Sequence, residues 1–376
     1  MALKAVHVSD VPNLDHVPQN AVSVLYSDQV SKGIDAFRAS MESPKFMVVG
    51  HRGSGMNMLQ SSDRRMKEIK ENTIMSFNAA GKHQVDFVEF DVQVTSDDCP
   101  VIFHDNFISS EENGALIEKR VTELTLNEFF SYGPQRESGN VGKSLARKIK
   151  DGRIFNWNVE TDDYFCTLKE VFQKVDPTLG FNVELKFDDN IIYQENELIR
   201  VLEVILQVVF EYAKDRPIIF SSFQPDAARL MRKLQNTYPV FFLTNGGCEI
   251  YTDVRRNSLD EALKLVLEND MHGIVSEVKA IFRNPEAITK IKGSNLSLLT
   301  YGQLNNVPEA VQMQHLMGVD GVIVDLVREI TEAVYDLVNR GAGEEGELQI
   351  LATKRPTFSQ QELSFLLRLI PQLIQH

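Results

Sequence analysis

FVEFDVQVTSDDCPVIFHD, residues 87–105, holds two β-like runs, FVEFDVQVT and PVIFHD, separated only by SDDC (96–99). So short a connection cannot carry a crossover helix, but it can close a hairpin, so the two runs are expected to pair antiparallel. Strand periodicity puts Val88, Phe90 and Val92 on one face and Glu89 and Asp91 on the other. If Thr95 pairs with Pro100 across the turn, Asp91 stands opposite His104, and the imidazole projects beside both carboxylates.

Outward from this hairpin, similar β-branched and aromatic runs recur. They are FMVVG (46–50), FNVELK (181–186), PIIFSS (217–222), VFFLT (240–244), HGIVSE (272–277), LSLLTY (296–301) and DGVIVD (320–325). Helical patterns lie between most of them. IMSFNAAGKH (74–83) sets Ile74, Phe77 and Gly81 on one face, and NELIRVLEVILQVVFEYA (196–213) carries a stripe through Leu198, Val201, Leu202 and Ile205. Alternating strands and helices predict a parallel sheet of the α/β class, and eight such units predict a closed (β/α)8 TIM barrel. The second arm of the hairpin is the run left over.

Residues 105 to about 179 contain no barrel strand; GPQ, ESGNVGK and DGR read as turns. The stretch is too long for an idle loop and is read as an insertion folded over one barrel end. Tyr132, Phe155 and Trp157 within it are expected to form the insertion's own small core, the alternative being that one of them lines a substrate entrance. Residues 1–44 read as an irregular arm with a short helix near IDAFRASM (34–41). The barrel is expected over 45–340, and a linker with a C-terminal helix over 341–376, capped by Ser359. The apolar face of that helix has to dock on the barrel or on a partner, so a homo-oligomer stays among the expected assemblies.

The chain has 376 residues and a formal net charge of −14. An acidic surface repels phosphate backbones and anionic lipid heads, which argues against nucleic acid and against stable membrane association. An anionic substrate would then need a local cluster of positive charge. Cys99, Cys166 and Cys248 are far apart and form no CxxC, which fits a reducing compartment. The N-terminal segment shows no apolar core of a secretory signal, and no run is long and apolar enough to span a bilayer. An intracellular, soluble protein is expected.

Two carboxylates aimed into a barrel are costly unless compensated, and a divalent cation is the natural compensation. FNVELK repeats the pattern: Glu184 and Lys186 share a face, so Glu184 offers a third carboxylate ligand and Lys186 a positive charge for phosphate. An ion pair between the two is the plainer alternative. VVGHRGSG ends a strand, where barrel active sites form. There His51 supplies a second imidazole and Arg52 a bidentate phosphate donor. Asn72 or Thr73 is expected to cap the helix that follows KENTIMSF, and Glu71, just before it, is expected to reach the site and the substrate.

HRG (51–53), ENT (71–73), VEFDVQVTSDDCPVIFHD (88–105), VELK (183–186), FSSF (220–223) and GVIVD (321–325) resemble, in order, the motifs of the glycerophosphodiester phosphodiesterase family. The two chain ends are similar to its plant subgroup, which includes plastid forms. The resemblance implies the phospholipase-C-like phosphodiesterase version of the barrel. It implies metal-dependent hydrolysis of small glycerophosphodiesters, such as glycerophosphocholine and glycerophosphoethanolamine, to sn-glycerol 3-phosphate and an alcohol. It makes His51 and His104 the general acid/base pair, Glu89, Asp91 and Glu184 the metal ligands, and Arg52 and Lys186 the phosphate clamp. An all-oxygen ligand set suits Mg2+ or Ca2+, and the plant resemblance favours Mg2+. It also allows a chloroplast location beside the cytosol, and favours attack by the glycerol 2-hydroxyl, through a cyclic phosphate, over direct attack by water.

Two departures stand out. GSGMNMLQSSDRRMKEIK (53–70) is an expanded loop relative to compact bacterial members, and Tyr301 stands where many members carry tryptophan on the seventh strand, at the glycerol or alcohol end of the substrate. Competing readings are a phosphatidylinositol- or sphingomyelin-type phospholipase on the same barrel, which needs a route onto a lipid surface, and an inactive binding barrel, which would show losses among the site residues.

Overall fold

A computed structural model describes residues 46–112, 114–137 and 139–343, with the side chains of 336–343 left aside. The expected N-terminal arm, its short helix and the C-terminal helix after Ser359 lie outside the described residues. Nine strands form the main sheet: β1 (Met47–Gly50), β2 (Phe87–Val94), β3 (Pro100–Ile102), β8 (Gly180–Leu185), β9 (Ile218–Ser222), β10 (Val240–Thr244), β11 (Gly273–Glu277), β12 (Ser297–Tyr301) and β13 (Gly321–Val324). Eight of them close into a parallel ring because β1 pairs with both β13 and β2. The ninth, β3, lies antiparallel on β2.

The alternation read in FVEFDV persists round the ring. Met47, Val49, Phe87, Ile219, Phe241, Leu243, Val275, Leu299 and Ile323 form one cluster drawn from seven of the eight barrel strands. Only the barrel interior can gather such a set. On β2, Phe87 belongs to it, so Glu89 and Asp91 point inward above Phe87, toward the C-terminal mouth. Val88, Phe90 and Val92 point outward into the larger cluster beneath the helices. That cluster also holds Phe77 from the helix Ile74–Gly81 and Leu198, Leu202, Ile205 and Val209 from the helix Glu195–Tyr212.

The hairpin differs from expectation by one residue. Val92 pairs with Ile102, Gln93 with Val101 and Val94 with Pro100. The Thr95 amide donates to the Cys99 carbonyl at 3.0 Å, and Asp98 takes the left-handed conformation at φ 58°. The loop is thus three residues with a left-handed last position, one of the common hairpin closures. A slip of one residue should turn His104 to the opposite face. It does not, because regular strand geometry ends just before it. The Phe103 amide still donates to the Asp91 carbonyl at 3.0 Å, and its ring, like Val101, joins the insertion's core, where it meets those of Phe129, Trp157 and Phe165. Beyond it the chain is no longer a strand, and His104 lines the barrel mouth.

Residues 107–156 build a second sheet in the order β5-β4-β6-β7, from β4 (Phe107–Glu112), β5 (Ala115–Arg120), β6 (Ala146–Lys148) and β7 (Ile154–Asn156). Tyr132 and Trp157 are buried in its core with Ile108, Val121, Leu124 and Phe129, and Phe155 packs against it. None of the three aromatics lines the cleft; Phe107, Ser109 and the β6–β7 turn Lys148–Lys150 do.

Candidate active site

At the C-terminal mouth of the ring lies a cleft of about 800 Å³. His51, Arg52, Glu89 and His104 line one side with Glu184 and Lys186, and Tyr301 lines another part. Asp91 lies just beneath, buried. The β2–β8 register explains the clustering, because Asp91 stands beside Glu184 and Glu89 beside Asn182. One carboxylate oxygen from each of Glu89, Asp91 and Glu184 falls within 4.8 Å of the others. Oε1 of Glu89 and Oδ1 of Asp91 are buried with no hydrogen-bond donor among the described residues. Orphaned anionic oxygens of this kind need a cation, and three carboxylates converging from neighbouring strands fit a hard divalent one.

Electrostatics agree. Burial, and then the adjacent Asp91 charge, push the Glu89 carboxyl well above the usual carboxylate range. Burial also opposes ionisation of Asp91, but His104, Lys186 and Arg52 outweigh it and hold Asp91 low. A proton on Glu89 thus takes part of the role a cation would fill. The plainer alternative for Lys186 is realised, since its Nζ lies 2.8 Å from Glu184 Oε1. Nζ also lies 3.6 Å from Asp91 Oδ1, so one lysine faces two of the three carboxylates.

The two histidines have different settings. Nδ1 of His51 is 2.7 Å from Asp325 Oδ1. Burial works against a proton on His51, but the Asp325 charge and hydrogen bond more than offset it, and the net shift is upward. Nδ1 of His104 is 2.7 Å from Asp105 Oδ1. There burial dominates, helped by Arg52 and Lys186, and the net shift is downward. Each carboxylate occupies Nδ1, which leaves Nε2 for chemistry.

Arg52 is placed by its backbone as much as by its partners. It adopts φ 50° and Asn72 adopts φ 57°, left-handed values uncommon outside glycine. The Asn72 amide donates to the Arg52 carbonyl at 3.0 Å, and the Arg52 amide donates to Glu89 Oε2 at 2.8 Å. Gly55, at φ 112°, lets the next turn close on β13, since a Cβ there would sit 2.4 Å from the Asp325 carbonyl oxygen.

Glu71 requires a correction. It was expected to meet the substrate, but its carboxylate is buried behind Arg52 with both oxygens taken. Oε1 accepts from Arg52 at 2.8 Å and from Arg147 at 2.6 Å, while Oε2 accepts from Arg147 at 3.1 Å and from the Asn57 amide. Burial would raise its pKa, but the two guanidiniums hold it well below the ordinary range. Tyr301 does face the cleft, packing edge-on against Phe223 and donating to Asn245.

Four residues of this site escaped the sequence reading. Thr73 is the helix cap, its hydroxyl accepting from the Ser76 amide, and Asn72 instead donates to Asp91 Oδ2 at 2.8 Å. Asp325 sits at the end of β13, a position where polar residues of barrels serve the site, so GVIVD carried a usable signal. Asp105 follows His104 directly. Arg147, from the insertion, had no signal.

A family model described as the glycerophosphoryl diester phosphodiesterase family matches residues 51–329. The chain is 60% identical to the chloroplastic glycerophosphodiester phosphodiesterase 1 of Arabidopsis thaliana and 57% identical to a second Arabidopsis glycerophosphodiester phosphodiesterase, over the full length of each chain. Among solved structures, an Oleispira antarctica phosphodiesterase in complex with the product sn-glycerol-3-phosphate has the same fold. Its TM-score is 0.55 at 19% identity, over 78% of this chain and 99% of that one.

Proposed function

This chain belongs to the glycerophosphoryl diester phosphodiesterase family, and on that footing we propose that it hydrolyses glycerophosphodiesters to sn-glycerol 3-phosphate and an alcohol. The observation that carries the reading is the convergence of three inward carboxylates with two histidines and two cations at one cleft. Glu89, Asp91 and Glu184 would hold a divalent ion, which when bound supplies Lewis-acid stabilisation of phosphate oxygens. Oxygen-only ligands favour Mg2+ or Ca2+, and Mg2+ is our reading. The likeness to a chloroplastic relative supports a plastid location, with the cytosol as the alternative. No helix among the described residues is long and apolar enough to cross a membrane.

The substrate's phosphodiester carries one negative charge. Arg52, braced by Glu71, and Lys186 bind it and offset the charge that grows on the phosphoryl oxygens as the new bond forms. His104, whose pKa is lowered, is neutral near pH 7 and takes the proton of the attacking hydroxyl. His51, whose pKa is raised by Asp325, is the better placed of the two to carry a proton and gives it to the departing alcohol. With the glycerol 2-hydroxyl as nucleophile, the first step forms a cyclic phosphate and frees the alcohol. The second step, with the roles reversed, adds water and opens the ring.

The test is release of glycerol 3-phosphate from glycerophosphocholine by the purified chain. A chelator is expected to abolish it and added Mg2+ to restore it; release that persists in chelator would overturn the metal assignment, and none under any cation would overturn the reading. The histidine assignment predicts a bell-shaped pH profile of kcat/KM, with His104 on the acidic limb and His51 on the alkaline one. Asp325→Asn removes the charge that raises His51, so the alkaline limb should move to lower pH. An unmoved alkaline limb would separate His51 from that step.

A further inference from the structure

We propose that Arg147 is a positioning residue that sets both the phosphate-binding Arg52 and the base His104, so that the insertion completes the active site. The proposal rests on the phosphodiesterase reading above. Arg147 sits on β6, in the second sheet, and its side chain is buried although it belongs to none of the barrel strands. Its guanidinium carbon lies over Trp157, 3.6 Å from the ring centre, which holds the fork in place. From there it makes two sets of contacts. NH1 and NH2 grip both oxygens of Glu71 at 3.1 and 2.6 Å, and Nε donates to Asp105 Oδ2 at 2.7 Å. NH1 also donates to the Asn57 carbonyl at 3.2 Å.

Each carboxylate passes the constraint on. The Glu71 oxygen nearest Arg147 also accepts from Arg52 at 2.8 Å, and the other Asp105 oxygen meets His104 Nδ1 at 2.7 Å. One guanidinium therefore fixes two groups on the cleft, through two anions. The consequences of losing it differ for each. Glu71 would stay buried and charged with Arg52 as its only guanidinium, so Arg52 would be drawn onto Glu71 and away from the phosphate. Asp105 would lose the partner that fixes its rotation, and with it the control of which His104 nitrogen faces the cleft. A residue that merely tethered the insertion would do neither.

The experiment uses the full-length chain with Mg2+ and glycerophosphocholine. Arg147→Gln is expected to lower kcat/KM by about 10- to 100-fold, the usual cost of losing a supporting partner of site ligands. The loss should divide, with KM raised through Arg52 and kcat lowered through His104. Arg147→Lys, which keeps the charge and loses the fork, should recover part of it. The double variant Arg147→Gln with Asp105→Asn should lose less than the product of the single losses, because both act on His104. Arg136→Gln breaks another of the insertion's ion pairs, that with Glu170, and should leave kcat and KM unchanged. Unchanged kinetics in Arg147→Gln, full multiplicativity in the double variant, or equal losses in Arg136→Gln would overturn the proposal. So would a loss in Arg147→Gln fully explained by its unfolded fraction. If the wild-type chain releases no glycerol 3-phosphate, the phosphodiesterase reading falls instead. The arginine is then judged by nitrogen chemical shifts of His104, which should report a changed tautomer in Arg147→Gln and would overturn the proposal if they did not.

Discussion

Alanine in place of either His51 or His104 leaves a folded protein whose kcat is lower by about 100- to 10,000-fold, the usual worth of a positioned proton donor or acceptor. The fold should survive because neither ring is part of a core cluster and the partner carboxylates keep other bonds. Asp325 still accepts from the Met56 amide at 3.0 Å and from Asn306 at 2.9 Å, and Asp105 still accepts from Arg147. Circular dichroism with steady-state turnover checks both halves of the claim. Turnover near wild-type in either variant would show that the proton passes through another group. The two losses should also differ in their rescue. Added imidazole should help the His104 variant best at higher pH, where it is a neutral base, and the His51 variant best at lower pH, where imidazolium can give a proton.

Removal of a single carboxylate from the inward triad is expected to be as damaging. Glu89→Gln and Asp91→Asn should each weaken Mg2+ binding by more than about 100-fold, since even outer partners of metal ligands are worth 10- to 100-fold. Calorimetric titration of Mg2+ measures this directly, and undiminished affinity would place the ion elsewhere. The raised pKa of Glu89 adds a pH signature. The folded, cation-free chain holds that proton more tightly than the unfolded chain, where glutamate titrates near about 4.3. Stability from this group is therefore complete below that value and is lost as pH rises toward the elevated one. Bound cation displaces the proton and reverses the trend. The melting temperature measured against pH, with and without Mg2+, should show the two curves diverging as pH rises.

The parts of this site that were legible in the sequence share a physical origin. Glu89, Asp91 and Glu184 could be read because a strand alternates strictly, and a carboxylate facing a closed ring has few reasons to be there. The pairing of His104 was misread because Asp98 takes a left-handed turn that glycine or asparagine would have advertised. His104 still arrives at the cleft, through a departure from strand geometry that alternation cannot foresee. Asn72 resembled a helix cap in every local respect, and only the fold shows its amide on Asp91. Arg147 lies 76 positions from Glu71, in a stretch without periodicity. Nothing but the three-dimensional meeting of the insertion's sheet with the loop before the Ile74–Gly81 helix brings them together.

The ring closes by pairing its first strand with its last, and this closure carries a consequence for the newborn chain. His51 and Asp325 are 274 positions apart, so the histidine waits for nearly the whole barrel to leave the ribosome before its acidic neighbour arrives. Until then its imidazole lacks the carboxylate that holds it, and the nascent polypeptide carries a nearly complete set of reactive groups without that partner. The strand that seals the barrel is also the one that arms it.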